Sequence, residues 1–371
     1  MSTSENLTPL RLLSALGQSV WIDFLSRESN RDGHLQKLID EDSVVGATSN
    51  PSIFQKAMAA GEAYDEQLRE IDPGTPVKDV FWTLAEQDIK EACDLFAPIF
   101  DRGNGRDGYV SLEVDPNLAY DTLATFREAM KLHGLVERPN LMVKIPATKP
   151  GLAAIEDVIS KGRSINVTLI FSLRRYEEVA ESYIRGLERL VAEAGDPTKV
   201  ASVASFFVSR IDTEADKRLD ELGGHDELKG RLAVANARLA YQRYKEIFAG
   251  PRWEYLESKG ATPQRVLWAS TSVKNPDYRD TMYVEELAGP GTVNTMPEET
   301  IRDFQDHGEP RPRLESELDQ ARALFEELAA AGVDYDDVTD TLEREGVEKF
   351  ADAFSELLGA LEQKRSELAP A

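Results

Sequence analysis

Two hydrophobic periods alternate along the chain. Short stretches that alternate apolar with polar residues, or stay apolar for five or six positions, fit strands. These are Ser19–Phe24, Val44–Asn50, Tyr109–Val114, the apolar run within Asn140–Thr148, Ser164–Phe171, Lys199–Phe207, Arg265–Ala269 and a short strand within Gly289–Pro297. Between them the apolar residues fall at helical spacing. Helices are predicted over Asp32–Glu41, Pro51 to about Ala60, Ala63–Glu70, Pro76 to about Phe100, Asp115 to about Arg138, Lys149–Lys161, Ser172–Ala194, Asp212 to about Gly260 with breaks near Gly223-Gly224 and Gly250-Pro251, and Pro276–Leu287. Thr8-Pro9 opens a short helix running to Leu16, a capping residue followed by proline at the first helical position. After Pro297 the pattern is helical: Glu298–Asp306, Arg313–Ala331 and Tyr335 to about Leu368. Eight strand–helix alternations predict a parallel sheet closed as a (β/α)8 TIM barrel, an α/β fold with additional N-terminal and C-terminal helices. No low-complexity linker or shift in composition divides residues 1–371, so a single barrel domain is expected. Its strands lie within about 19–297, and 298–371 forms a helical extension.

The polar residues within these strands share a parity. Side chains alternate faces along a strand. Val20, Ile22 and Phe24 oppose Trp21 and Asp23; Val110, Leu112 and Val114 oppose Ser111, Glu113 and Asp115. Leu141, Val143 and Ile145 oppose Lys144, and Ile165, Val167 and Leu169 oppose Asn166 and Thr168. Taken alone, the strand around Lys144 reads as an edge strand with a solvated lysine. In a barrel, however, the outer face packs on helices, and the inner face near the C-terminal rim is where sites are built. Asp23, Glu113, Lys144, Asn166 and Thr168 are therefore expected to converge late in their strands, with Asn50 and Ser205 joining them from the ends of the second and sixth.

Composition narrows the partners. The formal charge of −24 argues against nucleic acid and an anionic membrane surface, both of which need a basic footprint. The single cysteine, Cys93, lies in a helical pattern with Trp82, Ile89 and Phe96 and reads as core; an intrachain disulfide is impossible, which fits a reducing cytoplasm. Four histidines and one cysteine fall in no metal-ligand spacing. The first residues, Met-Ser-Thr-Ser-Glu-Asn, lack a basic segment followed by an apolar one, and no apolar run reaches 18 residues, so neither a signal peptide nor a membrane span is expected. The glycine-rich loop Asp101–Gly108 precedes a strand rather than a helix and reads as a turn, not a phosphate cradle.

A buried ammonium is costly unless it is paired or loses its proton, and a neutral lysine is a nucleophile that forms Schiff bases with carbonyls. The resulting iminium is an electron sink for breaking a neighbouring carbon–carbon bond. Two proton transfers accompany that chemistry, and two carboxylates in different surroundings can divide them. Glu113, on the strand beside Lys144, suits Schiff-base formation through a water held by Thr168; Asp23, farther round the barrel, suits bond cleavage. No metal or other cofactor is called for. A second cluster, Ser205–Ile211, places Arg210 at a helix start, and Ser270–Asn275 places Lys274 after the seventh strand, an arrangement suited to a sugar-phosphate anchor.

Six blocks in order, Trp21–Phe24, Thr48–Ser52, Ser111–Asp115, Val143–Pro146, Ile165–Leu169 and Thr292–Pro297, resemble the transaldolases, specifically their longer bacterial branch. The resemblance spans nearly the whole chain. It implies transfer of a dihydroxyacetone unit from sedoheptulose 7-phosphate to glyceraldehyde 3-phosphate in the pentose phosphate pathway, without a cofactor. It implies Lys144 as the Schiff-base lysine, Glu113 and Asp23 as the acid–base pair, Thr168 as the water-positioning group, Asn50 and Asn166 as ligands of substrate hydroxyls, and Ser205 and Arg210 as phosphate ligands. Many members carry arginine where this chain has Lys274, which lacks the planar fork. The rivals are a fructose-6-phosphate aldolase, which releases free dihydroxyacetone but is much shorter, a metal-dependent barrel enzyme, and an inactive barrel kept as a scaffold, which would have lost the lysine or a carboxylate. Nothing in the pattern sets an oligomeric state. The C-terminal helix, with Val338, Leu342, Phe350, Phe354, Leu357 and Leu361 at helical spacing, is expected to cover the barrel rather than to serve a partner.

Overall fold

The computed structural model describes residues 8–59 and 61–368, and the signal-peptide reading of the first six residues lies outside them. Eight parallel strands close into a barrel in chain order, with the last hydrogen-bonded to the first. The first half of the chain runs α1 (Pro9–Ala15), β1 (Gln18–Ile22), α2 (Arg27–Arg31), α3 (His34–Glu41), β2 (Val44–Ala47), α4 (Pro51–Ala59), α5 (Asp65–Glu70), α6 (Val77–Arg102), β3 (Val110–Glu113), α7 (Thr122–Val136), β4 (Leu141–Pro146) and α8 (Lys149–Ser160). The second half runs β5 (Ile165–Ile170), α9 (Leu173–Ala192), β6 (Ser202–Phe207), α10 (Ser209–Leu222), α11 (Leu232–Ile247), α12 (Pro251–Ser258), β7 (Arg265–Ala269), α13 (Met282–Glu286), β8 (Thr292–Met296), α14 (Glu298–His307), α15 (Leu318–Ala331) and α16 (Tyr335–Leu368).

The strands are short and buried on both faces, as a parallel sheet wrapped in helices requires. Val110, Leu112, Val143, Ile145, Ile165 and Val167 form part of the apolar core. The N-terminal end of the barrel is closed by polar side chains. The Ser19 hydroxyl donates to Asp107 (2.9 Å) and accepts from Arg265 Nη1 (2.8 Å), and Arg265 Nη2 pairs with Asp107 (2.9 Å). Above them sits the Trp21 ring. Only glycine fits opposite it, because a Cβ on Gly46 would lie 2.5 Å from the indole.

Local turn chemistry moved several element boundaries. Residues 276–281 are not helical, because Asn275 turns the chain: its Oδ1 accepts from Asp277 N and its carbonyl from Tyr278 N. Only Met282–Glu286 of the expected helix forms. The helix expected from Asp115 is split into a 3-10 turn at Pro116–Leu118 and α7, because Asp121 caps a fresh start by accepting from Ala124 N. The helix expected from Arg313 begins at Leu318, because the chain turns first, Ser316 N donating to the Arg313 carbonyl, and Glu317 is left-handed at φ +56°. The short helix α2 was not foreseen. A reciprocal Ser26–Ser29 capping box starts it, and it carries Arg27, buried and paired with Asp88 at 2.7 Å.

Two features at the C-terminal end of the barrel shape the site. Leu169 has φ +61° and sits at a register irregularity in β5, so the strand's alternation breaks there. Its side chain does not simply face the surrounding helices; it meets α16, where a Cβ on Gly346 would lie 2.9 Å from Leu169 Cδ2. The helix α16 spans 34 residues, roughly 50 Å at 1.5 Å per residue. At its start Asp337 pairs with Arg218 of α10 and Glu343 with Arg175 of α9. Toward its end Gln55 of α4 donates to Glu356, and Lys364 pairs with Asp65 of α5. It therefore crosses the barrel's C-terminal face from the β5–β6 side to the β2 side.

Asp212 ties α10 to its neighbours, accepting from Ala233 N (2.7 Å) and from the Tyr283 hydroxyl (2.8 Å). Burial pushes its carboxyl up to about 7, against those two hydrogen bonds. Because its folded value lies above its ordinary 3.8, the stability it contributes is complete below that value and lost as pH rises through about 7. Asp212→Asn cannot ionise. Its stability relative to the parent, read from urea midpoints, is expected to improve by roughly 2–4 kcal/mol between pH 4 and pH 8.

Candidate active site

Parallel pairing brings the inward-facing polar side chains together. Glu113 is in register with Lys144, Lys144 with Asn166, and Pro146 with Thr168. Lys144 Nζ lies 3.7 Å from Glu113 Oε2 and donates to the Ser49 carbonyl at 3.3 Å; both side chains are nearly inaccessible. A separation of 3.7 Å is an ion pair rather than a hydrogen bond. Both Glu113 carboxylate oxygens and the Thr168 hydroxyl are buried without a hydrogen-bond partner among the described residues. Buried polar atoms are nearly always satisfied, so three orphans beside one lysine mark a place built for a polar guest. Burial pushes the Glu113 carboxyl up to about 7, opposed by Lys144 and reinforced by the nearby Asp23.

Asp23 follows β1 and is more open to solvent than Glu113. Thr48 fixes it. The Thr48 hydroxyl donates to Asp23 Oδ1 at 2.7 Å and lies 2.7 Å from the Thr295 hydroxyl, linking the ends of β1, β2 and β8. Two carboxylates thus face the site in different surroundings, Glu113 dry and Asp23 partly wet.

Asn166 and Ser205 lie lower in the barrel than a strand-end position. Ser205 Oγ donates to Asn166 Oδ1 (2.7 Å), and Asn166 Nδ2 donates to Ser111 Oγ (3.0 Å), a polar chain joining β3, β5 and β6 through the register partner of Lys144. The Ser205 hydroxyl is thereby committed to Asn166. Asn50 caps α4, its Oδ1 accepting from Ile53 N at 3.0 Å, which leaves its amide donors for other partners.

Arg210 occupies the first turn of α10, where the helix N-terminus favours an anion. Among the described residues its guanidinium makes no hydrogen bond or ion pair. It is held between two aromatic rings, 5.0 Å from the Phe207 centroid and 5.9 Å from that of Phe350. A mostly dry cation with all its N–H donors free is an anion receptor. Burial lowers the guanidinium's proton affinity, and Asp23 and Glu113 oppose that shift. Beside it the Ser209 and Ser270 hydroxyls meet at 2.9 Å. Lys274 lies on the exposed loop after β7 and donates to Ser272 Oγ at 2.6 Å; burial of its stem and the nearby Arg210 charge lower its proton affinity.

Sequence parity alone did not reveal Thr48, Thr295, the Ser49 carbonyl, Phe207 or Phe350. Ser111 had the right parity and could have been included. Thr48 and Thr295 stood inside two of the six recognisable blocks, whereas Phe350 carried no signal beyond helical spacing. Among the described residues no cluster of three His, Cys, Asp or Glu side chains could hold a metal ion, and no helix is long and apolar enough to cross a membrane.

Comparison with known proteins identifies the family. Residues 20–361 match the family model described as Transaldolase/Fructose-6-phosphate aldolase. A protein named Transaldolase from Acidothermus cellulolyticus is 52% identical over 356 residues, covering 95% of this chain and 96% of that one. One from Frankia alni is 50% identical over 360 residues, covering 96% and 97%. A third, from Mycolicibacterium paratuberculosis, is 52% identical over 354 residues, covering 94% and 95%.

Proposed function

The chain belongs to the transaldolase/fructose-6-phosphate aldolase family and its activity is that of a transaldolase; we propose that Lys144, Glu113 and Asp23 carry the transfer of a dihydroxyacetone unit from sedoheptulose 7-phosphate to glyceraldehyde 3-phosphate. The observation that carries the assignment of roles is the buried Lys144–Glu113 pair, with both Glu113 oxygens and the Thr168 hydroxyl unpartnered.

Proton transfer within the Lys144–Glu113 pair frees the amine to add to the ketose carbonyl carbon and leaves the carboxyl protonated. Glu113, as the acid, gives its proton to the carbinolamine oxygen, which leaves as water on the side held by Thr168. Asp23 then takes the proton of the hydroxyl on the far carbon of the bond to be broken, which becomes the aldehyde carbon of the departing aldose. The carbon–carbon bond opens toward the iminium, the aldose phosphate departs, and the three-carbon enamine stays on Lys144. Addition of the enamine to the acceptor aldehyde and hydrolysis of the new iminium reverse these steps and yield fructose 6-phosphate. Asn166, braced by Ser111 and Ser205, and Asn50 bind substrate hydroxyls. Arg210 binds the phosphate beside Ser209 and Ser270, and Lys274 adds a point charge from the loop. Ser205 contributes through Asn166 rather than at the phosphate, because its hydroxyl is already committed there. Sugar phosphates are thus the partners of this site, and the cytoplasm is where the enzyme meets them.

Borohydride reduction in the presence of fructose 6-phosphate tests the reading. One adduct of dihydroxyacetone mass is expected, on the peptide containing Lys144. An adduct on another lysine, or none, overturns the mechanism. Comparing fructose 6-phosphate formed with free dihydroxyacetone released separates transfer from simple aldolase activity.

A further inference from the structure

Phe350 stands 206 residues beyond Lys144 in the chain, yet its ring covers both ends of the site. Its centroid is 5.8 Å from Lys144 Nζ and 5.9 Å from the Arg210 guanidinium carbon, both within cation–π range. Phe350 is only 6% exposed. Its placement is built into the fold. One turn earlier on α16, Gly346 lets the helix settle against Leu169, the bulged residue of β5, and the ion pairs at each end of α16 pin it across the barrel mouth. No other aromatic ring approaches the lysine and the arginine together among the described residues.

Resting on the Schiff-base reading above, we propose that Phe350 is a specificity-determining residue: by covering Lys144 and offering its ring to Arg210, it directs the bound three-carbon unit to a phosphorylated aldehyde instead of to water. The competing reaction is defined. The enamine takes a proton at carbon from solvent water and becomes an iminium. Water adds to the iminium carbon and gives up a proton, the carbon–nitrogen bond breaks, and dihydroxyacetone and the free amine are released. Hydrolysis ends both routes and uses the water held by Thr168; protonation of the enamine carbon belongs to this route alone, and an apolar ring over the amine keeps bulk water from delivering that proton. The same ring holds the Arg210 plane in place for the acceptor's phosphate, so the two functions are coupled through one side chain.

Phe350→Ala, Phe350→Val and Phe350→Leu test this. Each is normalised to the sites that borohydride traps with fructose 6-phosphate, so only folded, imine-forming enzyme is counted. In Phe350→Ala the fraction of turnovers releasing dihydroxyacetone is expected to rise on the order of tenfold, while KM for glyceraldehyde 3-phosphate rises more than KM for unphosphorylated glyceraldehyde. Phe350→Leu restores cover but not the aromatic face, so release returns toward the parent value while the KM difference persists. Phe350→Val, a smaller cut, gives the same comparison should the alanine variant not fold. Unchanged release per trapped site in Phe350→Ala or Phe350→Val overturns the inference, as does an equal rise in KM for both aldehydes. If the parent enzyme itself forms no adduct, the Schiff-base reading falls and this inference with it; an adduct with unaltered partition overturns the inference alone.

Discussion

Lys144→Ala is expected to abolish turnover, by roughly ten-thousandfold or more, and to leave the barrel folded. The size of the loss follows from its chemistry: Lys274, the site's other amine, lies on the exposed loop after β7 and is bonded to Ser272, not beside Glu113, so the bond-breaking step loses its electron sink rather than merely a stabilising contact. The folding claim needs a separate argument, because breaking a buried ion pair usually strands a charge. Here the stranded partner would be Glu113, 3.7 Å away. Burial already raises that carboxyl to about 7, and Lys144 is the main influence holding it down. Without the lysine its proton affinity rises further, so at pH 7 Glu113 takes up a proton and no bare charge stays inside. Far-UV circular dichroism and a thermal midpoint close to the parent's, together with loss of the borohydride adduct, are the expected results. A variant that is unfolded at pH 7 would show that the carboxyl does not neutralise itself, and would remove the basis for treating Glu113 as an acid.

The sequence made the lower half of this pair visible because neighbouring barrel strands are consecutive in the chain. Glu113, Lys144 and Thr168 lie on three successive strands, and a strict two-residue alternation predicts that they share a cavity. Alternation also defines where the reading stops. At Leu169 the strand bulges and the parity rule no longer applies, so a side chain assigned to the outer face meets α16 instead. Ser205 had the correct parity, but its partner is a matter of depth in the barrel, which parity does not encode. Thr48 orients Asp23 from a strand end whose register with β1 is irregular. Phe350 lies beyond any local rule. Helical spacing identifies it as apolar and inward-facing, and only the path of α16 across the mouth shows what it faces. Helix boundaries moved where a single capping or turn residue, Asp121 or Asn275, outweighed the apolar periodicity around it.

Glu113→Gln separates the acid from the nucleophile. Gln keeps the size and polarity of the side chain, so Lys144 still has a polar neighbour and still adds to the carbonyl, but no proton is available for the departing carbinolamine oxygen. A fall of about a hundred- to a thousandfold in kcat/KM is expected, the range for a single proton-transfer group. The same fall is expected in the rate at which the borohydride-reducible imine appears, which places the defect before bond cleavage. The pH profile supplies the sign. Glu113 is held near 7, chiefly by burial, and its protonated form is the working one, so kcat/KM in the parent declines as pH rises through about 7. Gln has no proton to lose, and that limb should be absent in the variant. Asp23 provides the cross-check. Its charge raises the Glu113 value, so in Asp23→Asn the limb measured on imine formation should move to lower pH. That variant should accumulate the adduct of the intact ketose phosphate, because cleavage then lacks its base. If Glu113→Gln retained the parent's imine rate and alkaline limb, the acid would have to be sought elsewhere, and the buried, unpartnered carboxylate beside Lys144 would need another purpose.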